Sequence, residues 1–131
     1  MLFEESSILE LKESYSASCL KTVSAFANER DGQGIFGVKD NGDVAGVDDA
    51  AALRLQVENA INDTFSPIPL FALKTEIVND KPIVILNVKK GKALPYFYKG
   101  KAYRRSDTSS VAADVHQLRE LVFLRSKCFL V

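Results

Sequence analysis

Hydrophobic and polar side chains alternate over residues 8–13, ILELKE, which is the pattern of a half-buried β-strand. Successive side chains of a strand point to opposite faces, so Leu9 and Leu11 share one face while Glu10 and Lys12 share the other. The strand therefore places a carboxylate and an ammonium group side by side. This pairing indicates either a solvated surface or a chemical role.

A helical spacing follows the strand. Over residues 17–28, ASCLKTVSAFAN, apolar residues recur at the period of an amphipathic helix, and Ser16 is available as its N-cap. Residues 31–47 predict two short strands joined at residues 40–42, because Asn-Gly suits a tight hairpin turn. Residues 34–37, GIFG, lie in the first of these strands, and their glycines indicate that another backbone packs closely there.

A second helix is predicted after the hairpin, with Asp48 or Asp49 as its N-cap. It ends before Pro67, because proline disfavours the helical conformation in the residue before it. Its apolar stripe consists of Leu53, Val57, Ala60, Ile61 and Thr64.

The remaining chain predicts three strands and a helix. Residues 70–78 and 82–88 form a hairpin, and the second segment is apolar enough to be a central strand. Residues 101–105 suit an edge strand. Asp114 caps a final helix whose inward residues are Val115, Leu118, Leu121 and Val122.

This order of elements predicts an α+β fold in which about three helices pack on one mixed β-sheet. A chain of 131 residues can bury a core without disulfides or metals, so we expect a single domain over residues 1–131. Its core covers about residues 4–113, and the C-terminal helix covers about residues 114–126.

The composition indicates a soluble, cytoplasmic protein. No segment approaches the roughly 18 consecutive apolar residues of a membrane span, and the N-terminus lacks the pattern of a cleaved signal. Cys19 and Cys128 are the only cysteines, so neither a disulfide framework nor a thiolate zinc site is indicated.

Positive and negative charges are segregated along the chain. The 17 basic and 17 acidic residues cancel, which argues against the strong general field of a very basic nucleic-acid binder. Residues 81–106, however, contain no acidic residue, and we expect folding to gather their charge on a patch. The basic residues of this segment are Lys81, Lys89, Lys90, Lys92, Lys99, Lys101, Arg104 and Arg105.

Five motifs resemble those of AlbA_2 domains, also called Schlafen AlbA_2 domains. They are ESSILELK at residues 5–12, KTVSAFAN at 21–28, GVKDNG at 37–42 followed by Gly46-Val47, Pro95-Tyr96, and Tyr103 to Arg105 before Ser109. The resemblance covers residues 4 to about 113. It implies a nucleic-acid-binding domain, which is attached to transcription regulators in bacteria and acts as a metal-dependent nuclease on structured RNA in the animal Schlafens.

The resemblance to the nucleases concerns Glu5, Glu10 and Asp40. If Glu5 lies in the turn before the first strand, its carboxylate folds back toward Glu10, and Asp40 completes a cluster. Three oxygen ligands suit Mg²⁺ or Mn²⁺, which can activate a water, and Lys12 would stabilise phosphoryl charge. The alternative is that Glu10 and Lys12 are a solvated pair and that Asp40 is an ordinary turn residue.

Aromatic residues lie among the basic ones over residues 89–105, and this mixture suits phosphate contact and stacking on exposed bases. The predicted nucleic-acid-binding residues are Lys89, Lys90, Lys92, Lys99, Lys101, Arg104, Arg105, Tyr96 and Tyr103. Such binding requires no cofactor. The alternative is a solvated loop and edge strand, with Tyr96 filling the core beneath.

Other polar residues are assigned ordinary roles. We expect Lys21 on a solvated helix face, Asn28 as a C-cap and His116 exposed. His116 has no partner histidine or cysteine to indicate a zinc site, and Ser24 has no histidine partner to indicate a serine hydrolase. The motifs of nucleotide-binding loops are absent from the sequence.

The sequence therefore favours a domain that binds DNA or structured RNA through residues 89–105, associated with transcription regulation. A ribonuclease that uses Mg²⁺ or Mn²⁺ at Glu5, Glu10 and Asp40, with Lys12, is the second hypothesis. A third is a noncatalytic interaction module. It would use a free sheet edge or the apolar residues 128–131, CFLV, which could pack against a second subunit in a homodimer. No membrane partner is expected.

Overall fold

A computed structural model of the chain describes the backbone of residues 3–130 and the side chains of residues 3–127. Within that range the elements in chain order are β1 (Leu9–Lys12), α1 (Cys19–Glu29), β2 (Gly32–Phe36), α2 (Ala50–Thr64), β3 (Phe65–Ser66), β4 (Phe71–Val78), β5 (Lys81–Val88), β6 (Phe97–Tyr98), β7 (Lys101–Ser106), β8 (Ser109–Ala112) and α3 (Val115–Leu130). None of these described helices is long and apolar enough to cross a membrane. The predicted α+β class is confirmed.

The strands form two four-stranded sheets rather than the single predicted sheet. The first has the order β1-β2-β5-β4. It is mixed, because β1 and β2 are parallel and joined through α1, whereas the other pairs are antiparallel. The second sheet is antiparallel, with the order β3-β6-β7-β8. β5 is a central strand as predicted, but β7 lies between two neighbours and is not the predicted edge strand.

Helix α1 packs against both sheets and fills the main core. Leu20, Val23 and Phe26 are each at most 2% exposed and belong to one apolar cluster. The cluster also contains Phe36, Val84, Leu86 and Val88 of the first sheet and Tyr98 and Tyr103 of the second. Burying each large apolar side chain contributes about 1.5–3 kcal/mol, so α1 holds the two sheets together.

Two of the three predicted helix caps are confirmed. The Asp49 carboxylate accepts the N–H of Ala52 at the start of α2, and the Asp114 carboxylate accepts the N–H of Gln117 at the start of α3. Ser16 does not cap α1, because the helix begins at Cys19 and its N-cap position is Ser18, which makes no side-chain cap hydrogen bond.

Within residues 31–47 only the first predicted strand forms. The second is reduced to a single antiparallel bridge between Val38 and Val44. The hairpin of β4 and β5 is confirmed, with positive φ angles of 51° at Asn79 and 62° at Asp80 in its two-residue turn.

The close backbone packing predicted over residues 34–37 occurs at Gly37, where a Cβ would lie 3.1 Å from the carbonyl carbon of Gly46, and a second tight approach occurs at Gly32. A Cβ on Gly32 would lie 2.4 Å from the ring of Phe26, whereas a Cβ on Gly34 would lie 3.9 Å from the nearest atom, in Leu86. Glycine is therefore required at position 32, where β2 passes under the Phe26 ring of α1.

Helix α3 buries less of its surface than predicted. Val115 and Val122, which were expected to face inward, are 64% and 52% exposed. Leu118 and Leu121 are partly buried, and Leu121 packs on the main core. The apolar side chains of residues 128–131 lie outside the described residues.

Candidate nucleic-acid interface

Glu10 and Arg105 form an ion pair inside the protein that joins β1 of the first sheet to β7 of the second. Arg105 Nη1 lies 3.4 Å from Glu10 Oε2 and 3.5 Å from Oε1, and the Arg105 and Glu10 side chains are only 3% and 11% exposed. Arg105 Nη2 donates to the carbonyl oxygen of Ser6 at 3.0 Å, and the guanidinium lies over the ring of Phe26. Arg105 was predicted to contact nucleic acid, but its charged group is turned into the protein.

Burial raises the pKa of the Glu10 carboxyl above its ordinary value of 4.5. The Arg105 guanidinium opposes this shift, because it stabilises the ionised carboxylate. The Glu5 charge raises the pKa of Glu10 further, and the Lys12 charge lowers it. Glu10 is thus a desolvated carboxylate balanced by cations of the chain itself.

The predicted alternation of the first strand is confirmed, but its polar face is not solvated. Glu10 and Lys12 lie on the face that packs against α1, beside Cys19 and Thr22, and Glu10 is 8% exposed. Burial raises the pKa of the Cys19 thiol to about 12. This thiol is therefore protonated and unreactive at neutral pH.

The structure brings Glu5 and Glu10 near each other but does not add Asp40. The Glu5 carboxylate accepts the N–H of Leu11 at 3.0 Å. Asp40 is exposed in the turn after β2, and its charge is not among those that shift the pKa of Glu10. The described residues contain no group of three or more His, Cys, Asp or Glu side chains that could hold a metal ion.

These residues do not fit Mg²⁺ or Mn²⁺. The carboxylate of Glu10 already forms an ion pair with the guanidinium of Arg105. The positive charge of Arg105 would therefore repel a divalent cation at this carboxylate. Glu5 uses one carboxylate oxygen on the backbone of β1. The arrangement supports a structural role for this carboxylate pair.

Ser24 and Asn28 form a buried polar network that was not predicted from the sequence. Asn28 is 2% exposed, its Oδ1 accepts the N–H of Tyr96 at 2.6 Å, and its Nδ2 donates to the carbonyls of Tyr96 and Tyr103 at 3.2 and 3.1 Å. Ser24 Oγ donates to the Tyr96 carbonyl at 2.9 Å and accepts the N–H of Tyr103 at 3.0 Å. Asn28 is an anchor for the second sheet and not the predicted C-cap. The available signal was two polar residues four positions apart on the apolar stripe of α1.

The two tyrosines predicted to stack on bases lie in the core. Tyr96 is 6% exposed and Tyr103 is 8% exposed. Tyr96 therefore follows the alternative reading, in which it fills the core beneath the loop. Lys21 and His116 are exposed, as the sequence predicted.

The predicted lysines are exposed and lie in two places. Three of them follow β5, one lies in the turn that joins β6 to β7, and one is the first residue of β7; in order they are Lys89, Lys90, Lys92, Lys99 and Lys101. Lys89 Nζ lies 3.2 Å from Asp31 Oδ2, and the Lys90 N–H donates to Asp31 Oδ1. These two hydrogen bonds lower the pKa of Asp31, and the bond from the Lys90 backbone has the larger effect.

A cavity of about 260 Å³ opens between the end of α1, β7 and α3. Three basic residues line it, namely Arg30, Lys90 and Arg104, and we call this site the basic cavity. Leu121 and Leu124 of α3 provide an apolar wall. Lys90 and Arg104 were among the predicted binding residues, whereas Arg30, which follows α1 directly, was missed because it stands outside the basic segment.

The acidic residues of the basic cavity already have partners. The Glu29 carboxylate accepts the N–H of Arg105, and Glu120 Oε1 lies 3.2 Å from His116 Nε2. In the described part of the chain none of the three cations forms an ion pair, and Arg104 Nε is buried without a hydrogen-bond partner. The carboxylates of Glu29 and Glu120 share the lining with these three cations, so the basic cavity carries a small excess of positive charge that suits an anion.

Comparisons with known proteins place these features in a family. The family model described as Schlafen, AlbA_2 matches residues 5–114, which confirms the resemblance seen in the sequence. A search of curated proteins gave no significant match.

Two solved structures share the fold. The DIP2311 protein of Corynebacterium diphtheriae is 17% identical with a TM-score of 0.65 over 88% of this chain, and this chain spans 23% of its length. The N-terminal domain of a RecG-related protein from Nitrosomonas europaea is 24% identical with a TM-score of 0.62, covering 82% of this chain and 83% of that one.

Proposed function

This chain belongs to the Schlafen AlbA_2 family, and from that premise we propose that it is a nucleic-acid-binding domain whose basic cavity contacts the phosphate backbone. The observation that carries the proposal is the convergence of Arg30, Lys90 and Arg104, from three separate parts of the chain, on one cavity without ion-pair partners. Arginine guanidinium groups suit phosphate because they donate two parallel hydrogen bonds.

The loop after β5 extends the positive surface. Lys92, two residues after Lys90, is exposed and adds to this surface, whereas the ammonium group of Lys89 is paired with Asp31. Since the whole chain has no net charge, attraction of a polyanion depends on this local field rather than on a general one. Binding should therefore respond strongly to salt and to loss of single cations.

We favour a duplex over an unpaired single strand as the polymer. Binding of single strands depends on stacking of bases on exposed aromatic rings, and the tyrosines of residues 89–105 that were predicted to stack are buried. Contacts to phosphate from arginine and lysine suit a duplex, whose bases are already stacked. Such contacts need no metal ion.

Fluorescence anisotropy with labelled duplex DNA, its labelled single strand and a labelled RNA hairpin tests this proposal. We expect the protein to bind the duplex DNA more tightly than the single strand and to lose affinity as salt rises. It should bind equally in Mn²⁺ and in EDTA without cleaving DNA or RNA. Arg30→Ala, Lys90→Ala and Arg104→Ala should each lower the salt slope by about 1. Lys39→Ala is the matched control, because Lys39 is an exposed lysine outside the basic cavity.

Two results would reject the proposal. One is affinity that stays the same in all three cavity variants and in the control. The other is metal-dependent cleavage of either polymer that is lost in Glu10→Gln, which would support a nuclease instead.

A further inference from the structure

We propose that the outer edge of β4 pairs with β4 of a second copy of this chain, so that two first sheets join into one continuous sheet. β4 is eight residues long and lies at the end of the order β1-β2-β5-β4, with β5 on one side only. Among the described residues no strand covers its other side. An uncovered edge of this length is a template for pairing with another strand.

The turn between β4 and β5 decides which backbone groups face outward. Val78 and Lys81 close a two-residue turn, so the Val78 carbonyl is directed toward β5. Backbone groups of an antiparallel strand alternate between its two sides. The residues that pair with β5 are therefore Val78, Glu76, Lys74 and Ala72, and those that offer N–H and C=O groups to the outside are Ile77, Thr75, Leu73 and Phe71.

A two-fold axis at Thr75 makes this edge complementary to itself. Thr75 then faces Thr75 of the second copy, and the outward-facing groups of Leu73 meet those of Ile77. In the same register Lys74 faces Glu76 on both sides of the axis. The two side chains are 54% and 46% exposed and lie 3.0 Å apart within one chain, so two copies would create a cluster of four alternating charges.

Two-fold axes at other residues also allow the backbone hydrogen bonds, but they do not place opposite charges across from each other. An axis at Leu73 places Lys74 opposite Ala72, and an axis at Ile77 places Glu76 opposite Val78. Charge complementarity thus selects the register centred on Thr75 and selects a second copy as the occupant.

The side chains on the helix face support the same register. Ile77 is 66% exposed, although it belongs to a strand that packs against α2. A groove of about 420 Å³ between α2 and β4 is lined by Leu55 and Leu73. Ile77 of the second copy, opposite Leu73, would cover this groove.

Sedimentation velocity of the whole chain without nucleic acid, over a series of concentrations, measures this association. We expect a reversible dimer, because a short strand pairing buries a modest area. Lys74→Glu and Glu76→Lys each place like charges opposite one another twice, and each should raise the dimer dissociation constant at least about tenfold. Lys39→Glu is the matched charge reversal away from β4 and should leave the dimer intact.

Mixing the Lys74→Glu and Glu76→Lys variants tests the proposed register most directly. In a mixed dimer the introduced carboxylate at position 74 faces the introduced ammonium at position 76, so mixing should restore a dimer that neither variant forms alone. Contacts within one chain cannot produce this result. The proposal is overturned if the wild-type chain is monomeric at every concentration, or if its dimer is unaffected by both reversals. It also fails if both variants keep their circular dichroism spectrum but their mixture stays monomeric.

Discussion

At the scale of single residues, Glu10 and Arg105 show how burial decides what a charge does. Alternation along the first strand correctly placed Glu10 with Lys12 on one face. It could not show that this face packs against α1, or that a guanidinium 95 positions away would reach the carboxylate. The resemblance in motif singled out Glu10 in the sequence. Only the tertiary contacts identify Arg105 as its ion-pair partner.

Removing Arg105 should destabilise the protein strongly. Arg105→Ala leaves the buried Glu10 carboxylate without its guanidinium, and we expect a loss of about 3–5 kcal/mol in the free energy of unfolding. Urea denaturation at neutral pH measures the loss. Lys101→Ala, an exposed residue of the same strand, should change stability by less than about 0.5 kcal/mol. Equal stability of the two variants would show that the pair does not form.

The raised pKa of Glu10 gives a pH dependence of defined sign. Because the folded pKa lies above the unfolded value near 4.5, protonated Glu10 favours the folded state. The stability it contributes is fully present below pH 4.5 and is lost as pH rises through the folded pKa. Denaturation of wild type and Glu10→Gln from pH 4 upward should show the wild type losing stability relative to the variant. A relative gain would mean that the folded pKa is lowered.

Gly32 and Gly34 provide a matched pair of substitutions within β2. Gly32→Ala drives a methyl group into the ring of Phe26 and should cost about 1–3 kcal/mol. Gly34→Ala meets only ordinary contact distances and should be neutral or slightly stabilising, by up to about 1 kcal/mol. Thermal unfolding of both variants tests the difference, and a larger loss at Gly34 would contradict the packing described for α1 on β2.

At the scale of elements, the sequence correctly predicted the features that depend on local residue patterns, such as helix caps and a hairpin turn. The Asp49 and Asp114 caps and the two-residue turn of β4 and β5 follow from residue types at fixed spacings. The second sheet was missed, because β3 and β6 are two residues long and too short to show a period. Only the pairing of β3 with β6 joins strands that are distant in sequence, whereas β6, β7 and β8 are joined by short turns.

Asn28 is expected to hold that second sheet on α1. Asn28→Ala leaves the N–H and C=O groups of Tyr96 with fewer buried partners and should cost about 2–4 kcal/mol. Asn59→Ala, an exposed asparagine of α2, should cost less than about 0.5 kcal/mol. Hydrogen exchange by NMR should show faster exchange at Tyr96 and Tyr103 in the Asn28 variant. Unchanged protection there would contradict the anchoring role.

At the scale of the whole molecule, charge segregation along the sequence is only partly kept in space. Folding buries Arg105, pairs Lys89 with Asp31, and divides the lysines between the loop after β5 and the start of β7 with the turn before it. It also recruits Arg30, which the basic segment does not contain, to the basic cavity. Counting charges along the sequence cannot predict which cations are buried, paired or brought into the cavity, because tertiary contacts determine ion pairing and burial.

The most direct test of the central claim is the salt dependence of duplex DNA binding by the triple variant Arg30→Ala, Lys90→Ala, Arg104→Ala. We expect wild type and Lys39→Ala to share one affinity and one slope, and the triple variant to bind at least tenfold more weakly with a slope reduced by about 3. A folded triple variant with wild-type affinity and slope would contradict the claim that the basic cavity is the nucleic-acid interface.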